Sequence, residues 1–368
     1  MKQRRIGGQG MTRRETLGFG LGTMAGLVLA VPGTARAQGG LKPLKLFHAA
    51  PITLGLWSVT YLAEDMGLYK EEGLALTRVG LANGPTAMAA LLSGSGDANA
   101  SAPGEVIAAA GRGQPLKILM SYSNSNGLTL VCTKAFAERH KLTAKSSVAE
   151  REAALKSAKG TRYGITSPGS QTDLFTRMAI KQVGLDPATD AQIVPLQNTA
   201  NGLAALSKGG IDCLMALTPI AIQAQFEFGA IALLAVANGE VRAGARLQGQ
   251  VSMARTQDVE ANQDTFASMV RAEVRALRHI IEKPVEARDL LRKTRFANVK
   301  EEMWPAIWQA ELPTFRSPYV TKDAISAWIE TGMVGGASDA AQYPYDKLID
   351  MRFVTAATAK IGWQVAKP

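Results

Sequence analysis

The residues of this chain that could hold a small molecule lie in short loops, and they are small, hydroxyl- or amide-bearing and uncharged. Ala50-Pro51-Ile52-Thr53, Asn83-Gly84-Pro85-Thr86, Ser101-Ala102-Pro103-Gly104 and Tyr122-Ser123-Asn124-Ser125-Asn126 each follow a short apolar run. Ser167-Pro168-Gly169-Ser170-Gln171-Thr172, Gln197-Asn198-Thr199 and Leu217-Thr218-Pro219 do the same further on. Several run straight into helices, whose first turns offer unpaired backbone N–H groups and the positive end of the macrodipole, a setting that binds anions without a basic side chain. Any one such Ser, Thr or Asn is first of all a helix cap. The case for a site rests on the set, and the expected ligand-binding residues are Thr53, Trp57, Asn83, Thr86, Ser101, Tyr122, Ser123, Ser167, Ser170, Gln171, Asn198 and Thr218. Two readings stand for Trp57, stacking on a planar ligand or filling the core. His48 reads as a structural histidine beside the loops or as a member of the site. Lys and Arg are missing from these loops, and a divalent anion would usually recruit Arg. A small monoanion, or a neutral or aromatic solute, fits better.

Reactive chemistry has little to work with. The three histidines, His48, His140 and His279, fall in no HExxH or clustered set, and Cys132 and Cys213 form no CxxC, so neither a metal nor another cofactor is expected. Both cysteines sit in apolar strand-like runs and read as buried thiols, although spacing alone does not say whether they bridge. No G-x-S-x-G elbow and no pair of carboxylates falls in the loops, so the chain does not read as an enzyme. No Lys/Arg run with interleaved aromatics marks a nucleic-acid surface.

The elements that must position these loops alternate. Leu44–His48, Leu76–Gly80, Ala98–Ser101 and Leu116–Tyr122 read as strands with helices between them. A second unit repeats the style with strands Arg162–Thr166, Ala191–Pro195 and Ile211–Leu217. This is the pattern of an α/β protein with mainly parallel sheets, in which ligands sit outside the carboxyl ends of the strands. After about residue 255 the chain is mostly helical. Phe266, Met269, Val270, Val274, Leu277, Ile280 and Ile281 draw one apolar stripe along a long helix.

Residues 1–37 read as an export signal: a basic head with Arg13-Arg14, a Gly/Ala/Leu stretch from Gly18 to Val31, and the small-x-small exit Ala35-Arg36-Ala37. The paired arginines point to the twin-arginine route, with Thr16 and Gly18 departing from its usual consensus. Six basic residues against Glu15 put half of the formal +10 charge in this segment. The expected mature protein starts near Gln38, lies in the periplasm and has room for about two domains.

Tyr61-Leu62-Ala63-Glu64-Asp65-Met66-Gly67-Leu68-Tyr69-Lys70-Glu71-Glu72-Gly73-Leu74 resembles the A-x-x-x-G-x-(Y/F)-x-x-x-G-L stretch of the solute-binding subunits of ABC importers. The group is that of the type II periplasmic binding proteins for nitrate, sulfonate, taurine and thiamine pyrimidines. Thr86 to Asp97, Gly164–Ser170 and Gly209-Gly210-Ile211-Asp212 resemble further segments of it, over about residues 44–240. The resemblance implies two lobes, each a mainly parallel sheet flanked by helices, joined by two crossover strands near Gly127–Thr133 and Gln248–Ala254 and closing on a solute by hinge motion. Lobe 1 would comprise 38–127 plus 250–368, and lobe 2 128–249. It further implies a monomer that passes a small organic or inorganic anion, or an aromatic solute, to ABC permease transmembrane subunits. Two alternatives stay open: a thiamine-pyrimidine-type binding or biosynthetic protein, and a periplasmic ligand sensor.

Overall fold

The computed structural model describes residues 40–50, 55–331 and 343–365. The export signal and Thr53 lie outside the described residues. Among those described, ten strands form two five-stranded sheets: β1 Lys42–His48, β2 Leu74–Gly80, β3 Ala98–Ser101, β4 Leu116–Ser121, β5 Leu128–Cys132, β6 Thr161–Ile165, β7 Ala191–Pro195, β8 Cys213–Leu217, β9 Ile231–Ala235 and β10 Val251–Arg255. Their orders are β2-β1-β3-β10-β4 and β7-β6-β8-β5-β9.

These orders are the same plan built twice. In each sheet the first three strands pair in parallel, and the fourth is antiparallel to both its neighbours. The fourth place is taken in each case by a strand that has just arrived from the other sheet. β5 follows the passage out of β4, and β10 follows the passage out of β9. The chain changes sheets between Ser121 and Leu128 and again between Ala235 and Val251, so both passages begin upstream of the expected segments. Leu128–Cys132 is already in register with β8, and Val251–Ala254 with β3.

The two passages are bonded to each other. Tyr122 N–H donates to the Gln250 carbonyl at 2.8 Å, Gln250 N–H to Ser123 Oγ at 2.9 Å, and Asn126 Nδ2 to the Leu247 carbonyl at 3.0 Å. Gly249 makes this approach possible. A Cβ there would lie 2.3 Å from both Ser123 Oγ and the Ser125 carbonyl oxygen.

The apolar stripe folds into the helix Gln263–Glu282, which buries Phe266, Met269, Val270, Val274, Leu277 and Ile280. It packs against the helices Ser58–Asp65 and Arg352–Lys360 beside the first sheet. Glu273 is buried on the same face. Its Oε1 accepts hydrogen bonds from the Tyr69 and Tyr122 hydroxyls, each at 2.8 Å, and its Oε2 has no partner. Burial pushes this carboxyl up to about 8.

Cys132 and Cys213 are free and buried, and stand opposite each other in the β5–β8 ladder. The neighbouring pair carries the hydrogen bond, Thr133 N–H to the Asp212 carbonyl at 2.9 Å. The cysteines therefore occupy a non-hydrogen-bonded position, where facing side chains come closest.

Candidate functional site

A cavity of about 50 Å³ lies at the carboxyl ends of strands from both sheets. The first sheet contributes Ala49 and Ala50 after β1, Asn83 and Gly84 after β2, and Ser101 and Ala102 at the end of β3. The second contributes Thr166 after β6, Leu217 at the end of β8, and Ser170, Gln171 and Thr172. Gln250, on the second passage, closes one side, and its amide donates to Gln171 Oε1 at 2.8 Å.

Local sequence fixes these positions. Asn83 caps the helix Gly84–Leu92, its Oδ1 accepting from Thr86 N–H at 3.1 Å and from the Thr86 hydroxyl at 2.9 Å. Ser170 caps the helix Gln171–Gln182, and its Oγ also accepts from the Thr166 hydroxyl at 3.0 Å. Asn83 Nδ2 reaches across to the carbonyl of Gln197 at 3.4 Å, so the two halves touch at the rim of the cleft. Gln197 holds a left-handed backbone, φ 70°, which turns that carbonyl toward Asn83.

A second, roomier cavity of about 610 Å³ joins the first through Ala102, Glu105, Ser170 and Gln171. It is a largely apolar groove between Met88, Leu92, Ala108, Leu174 and Trp328, with Arg112 at an exposed end. Gly104 makes room for Trp328, whose ring lies 2.8 Å from where a Cβ would stand. The Trp328 indole N–H is spent on the Gln248 carbonyl at 3.0 Å. A third, small cavity adjoins the first through Leu56, Gln171, Leu217 and Gln250 and is lined by Ser123, Thr314 and Glu311.

The structure thus brings Trp57, Asn83, Ser101, Ser170 and Gln171 to the central cavity, and Ser123 to the adjoining one. Trp57 sits in the core as well as in the cavity wall. It is buried and stacks on His48, ring centroids 4.8 Å apart, with its indole N–H unpartnered. His48 itself is buried, bonded to the Thr60 hydroxyl at 3.1 Å, and kept neutral by burial and the nearby Arg78.

The other expected residues among those described lie off the cavity. Tyr122 is fully buried with its hydroxyl on Glu273, because the chain at the end of β4 turns toward the helix Gln263–Glu282 rather than the cleft. Thr86 is exposed one turn into its helix. The Ser167 hydroxyl is buried without a partner and lines none of the three cavities. Asn198 is taken up capping the helix Thr199–Ser207, and Thr218 donates its hydroxyl to the Gly127 carbonyl at 2.8 Å.

The carboxylates were not visible in the loops. Glu105 stands one turn inside the helix Pro103–Gly111, where an acidic residue reads as a complement to the dipole. Yet it lines both main cavities, its Oε2 accepting from the Ser101 hydroxyl at 2.5 Å. Burial pushes it up to about 7. Glu311 ends the helix Trp304–Glu311, beyond the stretch carrying the family resemblance. Burial pushes it up to about 8, and its Oε1 has no partner. Among the described residues no Lys or Arg lines the central or the adjoining cavity.

Two lobes built on one strand order, joined by paired passages and enclosing a cavity at their strand ends, define a two-lobed α/β protein of the type II periplasmic-binding class. The model of the NMT1-like family matches residues 52–293, well over half of the chain, and the chain belongs to that family. No curated protein is significantly similar in sequence. Among solved structures, a protein from Bordetella bronchiseptica RB50 superposes with a TM-score of 0.73 at 19% identity, covering 87% of this chain and 98% of that one. The periplasmic nitrate-binding protein NrtA from Synechocystis PCC 6803 gives 0.68 at 15%, covering 87% and 89%. The alkanesulfonate-binding protein SsuA from Xanthomonas axonopodis pv. citri, bound to MOPS, gives 0.63 at 17%, covering 87% and 98%. At these identities the likeness is one of fold.

Proposed function

We propose that this chain is the periplasmic solute-binding subunit of an ABC importer, which captures a small solute between its lobes and delivers it to permease transmembrane subunits. The observation that carries this reading is the central cavity, walled by strand ends of both sheets and by the passage between them. A solute there touches both halves only when they are closed, so binding energy goes into closure. The work proposed is binding, with the lining hydroxyls, amides and carboxyls serving as donors and acceptors for the solute. Lobe 1 comprises 38–127 plus 250–368 and lobe 2 128–249, in a monomer exported by the signal at 1–37 and cleaved near Ala37.

Small-angle scattering of the mature protein, with and without a solute that raises its melting temperature, tests this. A solute at 100-fold its dissociation constant adds about 2.7 kcal/mol to stability, an easily read shift. The expected result is a smaller radius of gyration on binding. A stabilising solute that leaves the radius unchanged would argue against capture by closure.

A further inference from the structure

The cleft contains polar groups that the protein itself leaves open. Glu311, 4% exposed, has no donor on Oε1, and Trp57, 1% exposed, has no acceptor for its indole N–H. Among the described residues Glu105 receives only the Ser101 hydroxyl. Both carboxylates stand against glycines. A Cβ at Gly84 would fall 1.6 Å from Glu105 Oε1, and one at Gly55 would fall 2.6 Å from Glu311 Oε2. The missing Cβ at each glycine lets the carboxyl pack directly against the backbone, and among the described residues no Lys or Arg lines the central cavity or the adjoining one to pair with it.

A buried carboxylate without a partner is costly, and a pairing cation relieves that cost. A nitrate or sulfonate in this cavity would find no Lys or Arg among the described lining residues, whereas a cation would favour the ionised form of Glu105 and pair with it. The groove beyond Glu105 offers Met88, Leu92, Leu174 and Trp328 to an apolar body. We propose that the solute is an organic cation, with an N–H-donating amine or amidine head held by Glu105 and Glu311 and an aryl or alkyl body seated in the groove against Trp328. This rests on the solute-binding reading and narrows it to a substrate class.

Calorimetry with matched probes of opposite charge tests it: 2-phenylethylamine and benzamidine against 2-phenylethanesulfonate and nitrate. The amine or amidine binds wild type and the anions do not. Replacing Glu105→Gln, or Glu311→Gln, lowers affinity for the cation about tenfold or more, the loss expected for one charge-assisted hydrogen bond. The wild-type comparison decides the matter even if a variant fails to fold. Binding of the sulfonate or nitrate alone overturns the cation proposal and leaves the solute-binding reading standing. Binding of the amine that is unchanged in both Gln variants overturns the assignment of the head to these acids. No response to either charge overturns the proposal and counts against the solute-binding reading too.

Discussion

Replacing Glu273→Gln should change how stability depends on pH. Burial holds this carboxyl at about 8 in the folded protein, against about 4.5 when exposed. Between those values the native state keeps a proton that the unfolded chain has lost. Stability therefore falls as pH rises through this window, by about 1.4 kcal/mol per unit, or about 5 kcal/mol across it. Below about 4.5 both states are protonated and the contribution is flat. Glutamine is neutral throughout and keeps an acceptor for the Tyr69 and Tyr122 hydroxyls. Its amide N–H group, placed where Oε2 has no partner, costs about 1–3 kcal/mol. The variant should be no more stable than wild type at pH 5 and more stable at pH 8.5. Glu105 and Glu311, raised for the same reason, keep part of the slope in both proteins. Urea unfolding followed by tryptophan fluorescence at pH 5, 6.5 and 8.5 reads the difference. Parallel stability curves for the two proteins would refute a neutral buried Glu273.

Gly249→Ala forces a Cβ onto the Ser125 carbonyl between the two passages and should cost about 1–3 kcal/mol in urea unfolding, so an unchanged midpoint would show that the passages can part freely. Ser170→Ala removes the cap of the helix Gln171–Gln182 and should lower stability by about 1 kcal/mol, measured the same way. The Cys132 thiol is pushed up to about 12 by burial, and Cys213 is raised likewise, so Ellman's reagent should find both only after denaturation; prompt reaction of the native protein would contradict their burial. Changing Arg13 and Arg14 together to Lys should leave uncleaved precursor in the cytoplasm, and normal periplasmic accumulation would rule out the twin-arginine route.

Much of the fold was legible because it is written in local patterns. Alternating apolar runs marked β1, β2, β3, β4, β6, β7 and β8, and Asn83 and Ser170 announced the helices they cap. What stayed hidden depends on pairing between distant segments. Leu128–Cys132 and Val251–Arg255 read as connectors because nothing in a single strand says which sheet it will join. Ile231–Ala235 was not recognised as a strand, being a short continuous apolar run without alternation. In the cleft, the small hydroxyl and amide residues were visible as a class. Which of them face inward was not, since a cap such as Asn198 and a wall residue such as Ser170 have the same local signature. Glu105 and Glu311 escaped because helical acids are ordinary surface residues until a tertiary contact encloses them.

The exchanged fourth strand also sets an order of assembly. β10 separates β3 from β4, so the first sheet cannot be completed until residue 255 has been made, although its first strand begins at Lys42. Every strand of the second sheet lies between 128 and 235 and can pair without waiting. During synthesis the second sheet therefore closes first, while β3 stands as an open edge and β4 has no partner strand. The arrival of β10 covers the β3 edge, brings in β4 as the outer strand, and ties the amino-terminal third of the chain to its later part. Folding of the first lobe is thus a long-range, slow event, and a chain cut short before residue 251 should display the edge that invites aggregation.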